Sequence, residues 1–215
     1  VLEILERYDL QVTICANAMA AKRYPYLIEH CRKAGHRFVA HGWSLNRMIT
    51  SKMSEAEERQ HIADCLGSLE TALGEKPRGW AGQDYNESTE TPNLLVEAGL
   101  DFVLDWPNDD EPYYMRTDPP LVSVPNQSEW DDGQLFAVRQ VDTWRYPELI
   151  TSAYELLATE GGRMLGLNIH PWIFGQAQRI KYLEEAVTAI AGKPDAWYTG
   201  PEEITAAFRA QRHEG

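Results

Sequence analysis

Apolar residues recur at helical spacing at the start of the chain (Val1, Leu2, Ile4, Leu5) and give way to a β-rich run from Gln11 to Cys15. A helix from Pro25 to Ala34, closed by Gly35, leads into a short strand, Arg37-Phe38-Val39-Ala40, that ends at His41-Gly42-Trp43. Ser54-Glu55-Ala56-Glu57 spells a capping box and predicts a long helix to about Leu73, stopped by Gly74. Further strands are predicted at Arg78-Gly79-Trp80, from Asp101 to Asp105, from Leu121 to Val124 and from Met164 to Ile169, with a short one at Trp197-Tyr198. Helices are predicted over 90–98, 147–159 and 177–191 and from Pro201 onward. The Pro- and Asp-dense stretch 106–119 reads as a long loop or lid.

Strand-like segments that alternate with helices predict an α/β fold with parallel strands under a helical cover, a (β/α) barrel being the leading architecture. The unusual residues fall in a pattern. His41, the loop Gly82 to Ser88, Asp105-Trp106, Asn126 and His170 each follow a strand at its carboxyl end, where such folds assemble ligand sites. No internal repeat or Gly/Ser linker divides the chain, so residues 1–215 are expected to form one catalytic domain.

Composition narrows the function classes. A net charge of −13 with no Lys/Arg-rich run disfavours nucleic acid as a partner. No apolar stretch approaches the roughly 20 residues of a membrane span. Three separated cysteines, Cys15, Cys31 and Cys65, form no CxxC and fit a reducing, cytoplasmic setting. The chain lacks an initiator Met and opens inside a helical pattern, so a truncated N-terminus is expected.

The phrase Tyr24-Pro25, then Ala34-Gly35-His36, then a strand ending in His41-Gly42-Trp43, resembles the second signature block of the polysaccharide deacetylase (NodB-homology) superfamily. Arg78-Gly79-Trp80, the helix to Ala98-Gly99, the strand to Asp105-Trp106 and Leu167-Asn168-Ile169-His170-Pro171 resemble its later blocks in order and spacing. The resemblance implies a distorted (β/α) barrel, N-terminal strands missing here, that hydrolyses C–N bonds other than peptide bonds. It also implies assembly as a homo-oligomer, and in metal-dependent members a site built on first-strand aspartates and two histidines four residues apart. His41 matches the first of those histidines, but Leu45 stands at the second position and offers no lone pair, while Ala81 stands near an expected arginine. A catalytic zinc usually has about three protein ligands, so the cofactor stays open between one divalent metal such as zinc, held in part by His41, and none. The departures resemble the allantoinase-like and cyclic-imidase-like branch, as do Asn108-Asp109-Asp110-Glu111-Pro112-Tyr113 and Pro125-Asn126-Gln127-Ser128-Glu129-Trp130. The implied substrate is a small linear or cyclic amide or ureide. N-deacetylation of a sugar or polysaccharide is the alternative, and a ligand-binding barrel that has lost catalysis is a second.

Amide hydrolysis needs an activated water, a donor for the oxyanion and an acid for the leaving nitrogen. His170 is the expected acid/base and His41 the group that positions water or metal, with Asp105 and Glu87 able to receive or place protons. Gln83 and Asn126 suit a ring carbonyl, and Trp43, Tyr85, Trp106, Trp130 and Trp172 suit the walls of a flat apolar pocket. Alternatively, Asp105 caps a turn and Glu87 complements a helix dipole. His30, His36 and His61 are expected at the surface, His213 in a terminal tail, the 109–111 acidic run in solvent, and Trp80 and Trp197 in the core.

Overall fold

Six strands form one sheet in the computed structural model: β1 (Thr13–Ala16), β2 (Arg37–Ala40), β3 (Gly79–Trp80), β4 (Phe102–Val103), β5 (Tyr113–Tyr114) and β6 (Val122–Ser123). The structure describes residues 1–10 and 12–213, with side chains through Gln211, so the expected strand start at Gln11 and the side chain of His213 lie outside the described residues. The backbone of His213 belongs to the helix Pro201–His213, where a tail was expected. Strand order is β1-β2-β3-β4-β6-β5. All neighbours run parallel except β5, which pairs antiparallel with β6 through Tyr113↔Ser123 and Tyr114↔Val122. The expected parallel sheet is therefore present, and the stretch expected as a loop over 106–119 contributes its antiparallel edge. Two adjacent tyrosines are too short a run to register as a strand by periodicity.

The chain gathers into two compact units. One comprises residues 12–106, 112–124 and 199–215 and contains the whole sheet. Its largest helix, Glu55–Leu73, starts at the expected capping box: Ser54 accepts from Glu57 N, the Glu57 carboxylate accepts from Ser54 N, and Gly74 ends the helix at φ 81°. Ile62, Leu66, Leu69 and Leu73 recur at helical spacing, and all are buried. Val39, Trp80, Leu95, Phe102 and Val103 complete the apolar interior of this unit.

The same helix corrects one expectation. His61 is fully buried, and neither ring nitrogen has a hydrogen-bond partner among the described residues. Burial therefore holds its pKa below 6.5, with the Arg47 charge adding to the effect. His36 is also buried and accepts from Val12 N at 3.4 Å. The helical apolar stripe and the strand entry carried these imidazoles inward, where a surface position was expected.

The second unit comprises residues 1–11, 107–111 and 125–198. The helices Tyr146–Glu160 and Ile180–Ile190 pack on each other, burying Tyr146, Ile150, Leu183, Ala186 and Val187. The expected strand from Met164 to Ile169 has no ladder partner among the described residues. Its backbone bonds go elsewhere: Met164 N donates to Asp110 O at 2.9 Å, Gly166 N to Gln127 Oε1 at 2.8 Å, and Asn168 O accepts from Asp132 N at 3.1 Å. The buried Gln127 side chain substitutes for a neighbouring strand, since its amide also donates to Asp110 Oδ1 at 2.7 Å and to Met164 O at 2.9 Å. Asp110 is thus tied down and Glu111 pairs with Arg163, so the 109–111 run is more than solvated loop. Trp197 is 64% exposed and no strand forms at 197–198, in contrast to Trp80, which is buried as expected.

Candidate functional site

In the sheet-bearing unit, polar residues converge after β2, β3 and β4. His41 follows β2 and its Nδ1 lies 2.8 Å from Ala81 O. A carbonyl can only accept, so Nδ1 carries the proton and the lone pair is on Nε2. Gly42 adopts φ +65°, and a Cβ there would stand 2.4 Å from Gln83 Oε1. The absence of a side chain at Gly42 thus lets the buried Gln83 lie against the backbone after β2. Gln83 Nε2 is buried with no hydrogen-bond partner among the described residues. Gln83 begins a 3-10 turn in which Asp84 and Tyr85 take φ of 53° and 58°. Consecutive non-glycine residues in this region are strained, a condition that clusters at binding and catalytic sites.

Asp105 follows β4 and is 6% exposed, with Gly82 N 2.7 Å from both of its carboxylate oxygens. The Glu87 carboxyl is within hydrogen-bonding reach of Asp105 and accepts from Trp106 Nε1 at 2.7 Å. Two carboxyl groups in such contact cannot both be ionised at little cost. Burial first, then the hydrogen bond to Asp105 and after it the Asp105 charge, push the Glu87 carboxyl well above its usual range, while burial also raises Asp105. The pair is best described as a protonated Glu87 donating to an ionised Asp105. The loop that carries Glu87 is held from below by the buried Glu58, which accepts from Ser88 Oγ at 2.6 Å and from Thr91 Oγ1. The structure therefore brings Glu87, Asp105 and Trp106 together, and sets His41 and Gln83 against Gly42 and Ala81. Tyr85 is half-buried in the strained turn; Trp43 is half-buried beneath the Arg47 guanidinium, 5.8 Å from its ring centroid.

In the other unit, His170 caps the helix Pro171–Phe174 and is joined to an aspartate that sequence reasoning missed. His170 Nδ1 lies 2.5 Å from Asp132 Oδ1, and His170 N donates to Asp132 Oδ2 at 2.9 Å. Asp132 is fully buried while the His170 side chain is 37% exposed, so a fixed carboxylate orients an imidazole that reaches solvent. Asp131 is held in its turn by Gln134 N at 2.9 Å and Asn168 Nδ2 at 2.5 Å. A π-helix, Gln134–Val138, begins directly after this pair, and a Cβ at Gly133 would lie 3.0 Å from Asp131 Oδ1. Single π-turns recur at functional sites. Trp172 lies 5.6 Å from His170 by ring centroids and is 67% exposed, while Asn126 and Trp130 are half-buried. The Asp131-Asp132 pair directly follows the 125–130 stretch singled out above, and that adjacency is the signal that could have drawn attention to it.

A metal at His41 does not fit the residues present. Leu45 is 66% exposed, and among the described residues no trio of ligating atoms includes His41. Asp131, Asp132 and His170 do place ligand atoms within 4.8 Å of one another. Their oxygens also accept from Gln134 N, Asn168 Nδ2, His170 N and His170 Nδ1, so these three residues could hold a divalent cation and are also joined as a hydrogen-bonded dyad with its neighbour.

Residues 1–103 match the family model described as polysaccharide deacetylase. No curated protein matches the chain. Among solved structures, a Puue allantoinase is 28% identical with a TM-score of 0.88, over 97% of this chain and 70% of that one. A probable polysaccharide deacetylase from Pseudomonas aeruginosa PAO1 is 25% identical with a TM-score of 0.89, over 98% and 71%. A putative polysaccharide deacetylase from Mycobacterium smegmatis is 25% identical with a TM-score of 0.87, over 98% and 76%. The α/β fold with its parallel sheet is the NodB-like barrel class of these proteins, and no helix among the described residues is long and apolar enough to cross a membrane. The signature block ending at His41, the family match over residues 1–103 and the fold shared along nearly the whole chain make it similar to polysaccharide deacetylases, hydrolases of carbon–nitrogen bonds other than peptide bonds.

Proposed function

We propose that this chain hydrolyses the C–N bond of a small linear or cyclic amide or ureide, with His170 as the acid/base. The observation that carries the reading is the Asp132–His170 contact. The 2.5 Å bond fixes the proton on Nδ1 and the lone pair on Nε2. Nε2 can then take a proton from an attacking water and return it to the leaving nitrogen, the Asp132 charge stabilising the imidazolium between the two steps. The polar groups of the sheet-bearing unit, Glu87, Gln83 and His41, are carried by that unit alone, and the acid/base role of His170 stands without them. Support for a small amide comes from the likeness to an allantoinase and from Leu45, which removes the second histidine of the metal-dependent pattern. N-deacetylation of a sugar is the second reading, favoured by the match to the polysaccharide deacetylase model. The test is turnover by the full chain of a panel of hydantoins, imides, ureides and N-acetyl sugars, with His170→Ala in parallel. Loss of roughly 100-fold or more in kcat for one class supports the reading, and His170→Ala activity equal to wild type contradicts it.

A further inference from the structure

Asn168, two residues before His170, grips both members of the Asp131-Asp132 pair. Its side-chain Nδ2 donates to Asp131 Oδ2 at 2.5 Å, and its backbone carbonyl accepts from Asp132 N at 3.1 Å. The grip is returned from the other side of the turn: His170 N donates to Asp132 Oδ2 at 2.9 Å, and His170 Nδ1 meets Asp132 Oδ1 at 2.5 Å. With Gln134 N on Asp131 Oδ1 at 2.9 Å, each of the four carboxylate oxygens has a donor. Asp131 and Asp132 are both buried, so bulk water does not replace a donor that is taken away. Packing is close at the same place. A Cβ at Gly133 would stand 3.0 Å from Asp131 Oδ1 and 3.7 Å from His170 Cε1, so the Asp131 carboxylate and the imidazole both lie against this glycine. Acid/base work by Asp132 and His170 leaves Asp131 and Asn168 without a part in the chemistry, although their hydrogen bonds run through the same turn.

We propose that Asn168 is a positioning residue of the Asp132–His170 dyad: anchored by its amide on Asp131, it holds the backbone of Asp132 by its carbonyl, so that the Asp132 carboxylate meets the ring nitrogen of His170. The catalytic consequence rests on the function proposed above; the clamp stands on the hydrogen bonds alone. One bond between segments 131–134 and 168–170 would leave them free to turn about it. Two bonds from one residue to adjacent residues remove that freedom, and the amide of Asn168 makes the second. Its bond to Asp131 is charge-assisted and therefore the stronger of the two. The pairing can also be exchanged. Asp131→Asn keeps an acceptor for Gln134 N and offers an amide donor to position 168, where Asn168→Asp supplies the acceptor.

Asn168→Asp alone keeps the shape of the side chain and sets a second carboxylate against Asp131. Proton NMR of the full chain, in buffer containing a chelator, reads the Nδ1 proton of His170, which a 2.5 Å bond to carboxylate shifts far downfield. The expected result in Asn168→Asp is an upfield move as that bond lengthens, with kcat lowered by up to about 100-fold and KM unchanged. Adding Asp131→Asn should return the resonance and kcat most of the way to wild type. An unmoved resonance in a folded Asn168→Asp protein overturns the proposal, as does a double variant no closer to wild type than Asn168→Asp alone. If Asn168→Asp does not fold, the double variant decides: folding with the resonance near its wild-type position supports the clamp, and failure to fold overturns it. The spectra need no substrate, so absence of amide turnover would refute the proposed function and leave this inference to the resonances.

Discussion

Glu87 and Asp105 place two carboxyl groups in contact inside the sheet-bearing unit, with Gly82 N and Trp106 Nε1 as their hydrogen-bond donors. Their pH behaviour follows from linkage. The folded pKa of Glu87 is raised above the ordinary 4.5, so above that pH the folded state holds a proton that the unfolded chain has released. Stability therefore falls as pH rises from 4.5 toward the folded value, by up to about 1.4 kcal/mol for each pH unit in that window. Glu87→Gln supplies a permanent amide donor to Asp105 and an acceptor for Trp106, and should flatten the dependence. Urea unfolding of wild type and Glu87→Gln between pH 5 and 9 checks this. A wild-type curve already flat over the range, parallel to that of the variant, would show that Glu87 ionises normally. The position of these residues at strand ends was legible in the sequence; their shared proton was not, because it depends on burial and on contact between residues eighteen apart in the chain.

Elements were legible where local chemistry alone decides them. The Ser54 capping box and the apolar stripe from Ile62 to Leu73 fix the long helix without reference to the rest of the chain. Residues 164–169 were misread because alternation of apolar residues reports an extended backbone and not what pairs with it; Gln127 and Asp110 take the hydrogen bonds a strand would have supplied. Asp131 and Asp132 escaped for a related reason, since adjacent carboxylates in a polar stretch resemble solvated loop until the buried dyad partner is seen. Gly42 separates two effects at element scale. Gly35 and Gly42 both hold positive φ, but a Cβ at Gly35 meets nothing within 4 Å, whereas one at Gly42 meets Gln83. Gly35→Ala should cost about 1 kcal/mol from backbone strain alone. Gly42→Ala should cost about 1–3 kcal/mol more, because the buried Gln83 must also move. Equal unfolding midpoints for the two variants would show that Gln83 is not held against Gly42.

For the molecule as a whole, similarity to polysaccharide deacetylases and to an allantoinase lies in the fold, whereas Leu45 stands four residues after His41, where the resemblance to metal-dependent members implies a second histidine. The fold was readable because the signature blocks carry strand ends and helix stops in a fixed order, and the sheet order β1-β2-β3-β4-β6-β5 follows that order as far as β4. The site was readable in part. His170 was found by its block, whereas its partner Asp132 lies 38 residues earlier in the chain and is named only by the hydrogen bonds. The proposed chemistry rests on the proton-transfer dyad of Asp132 and His170. The measurement that bears on this most directly is the pH dependence of kcat/KM for amide hydrolysis in Asp132→Asn, an isosteric change that removes the charge and allows the wrong His170 tautomer. The account predicts a loss of roughly 100- to 10,000-fold with a displaced acidic limb. An Asp132→Asn enzyme that keeps wild-type kcat/KM and an unmoved pH profile would contradict it.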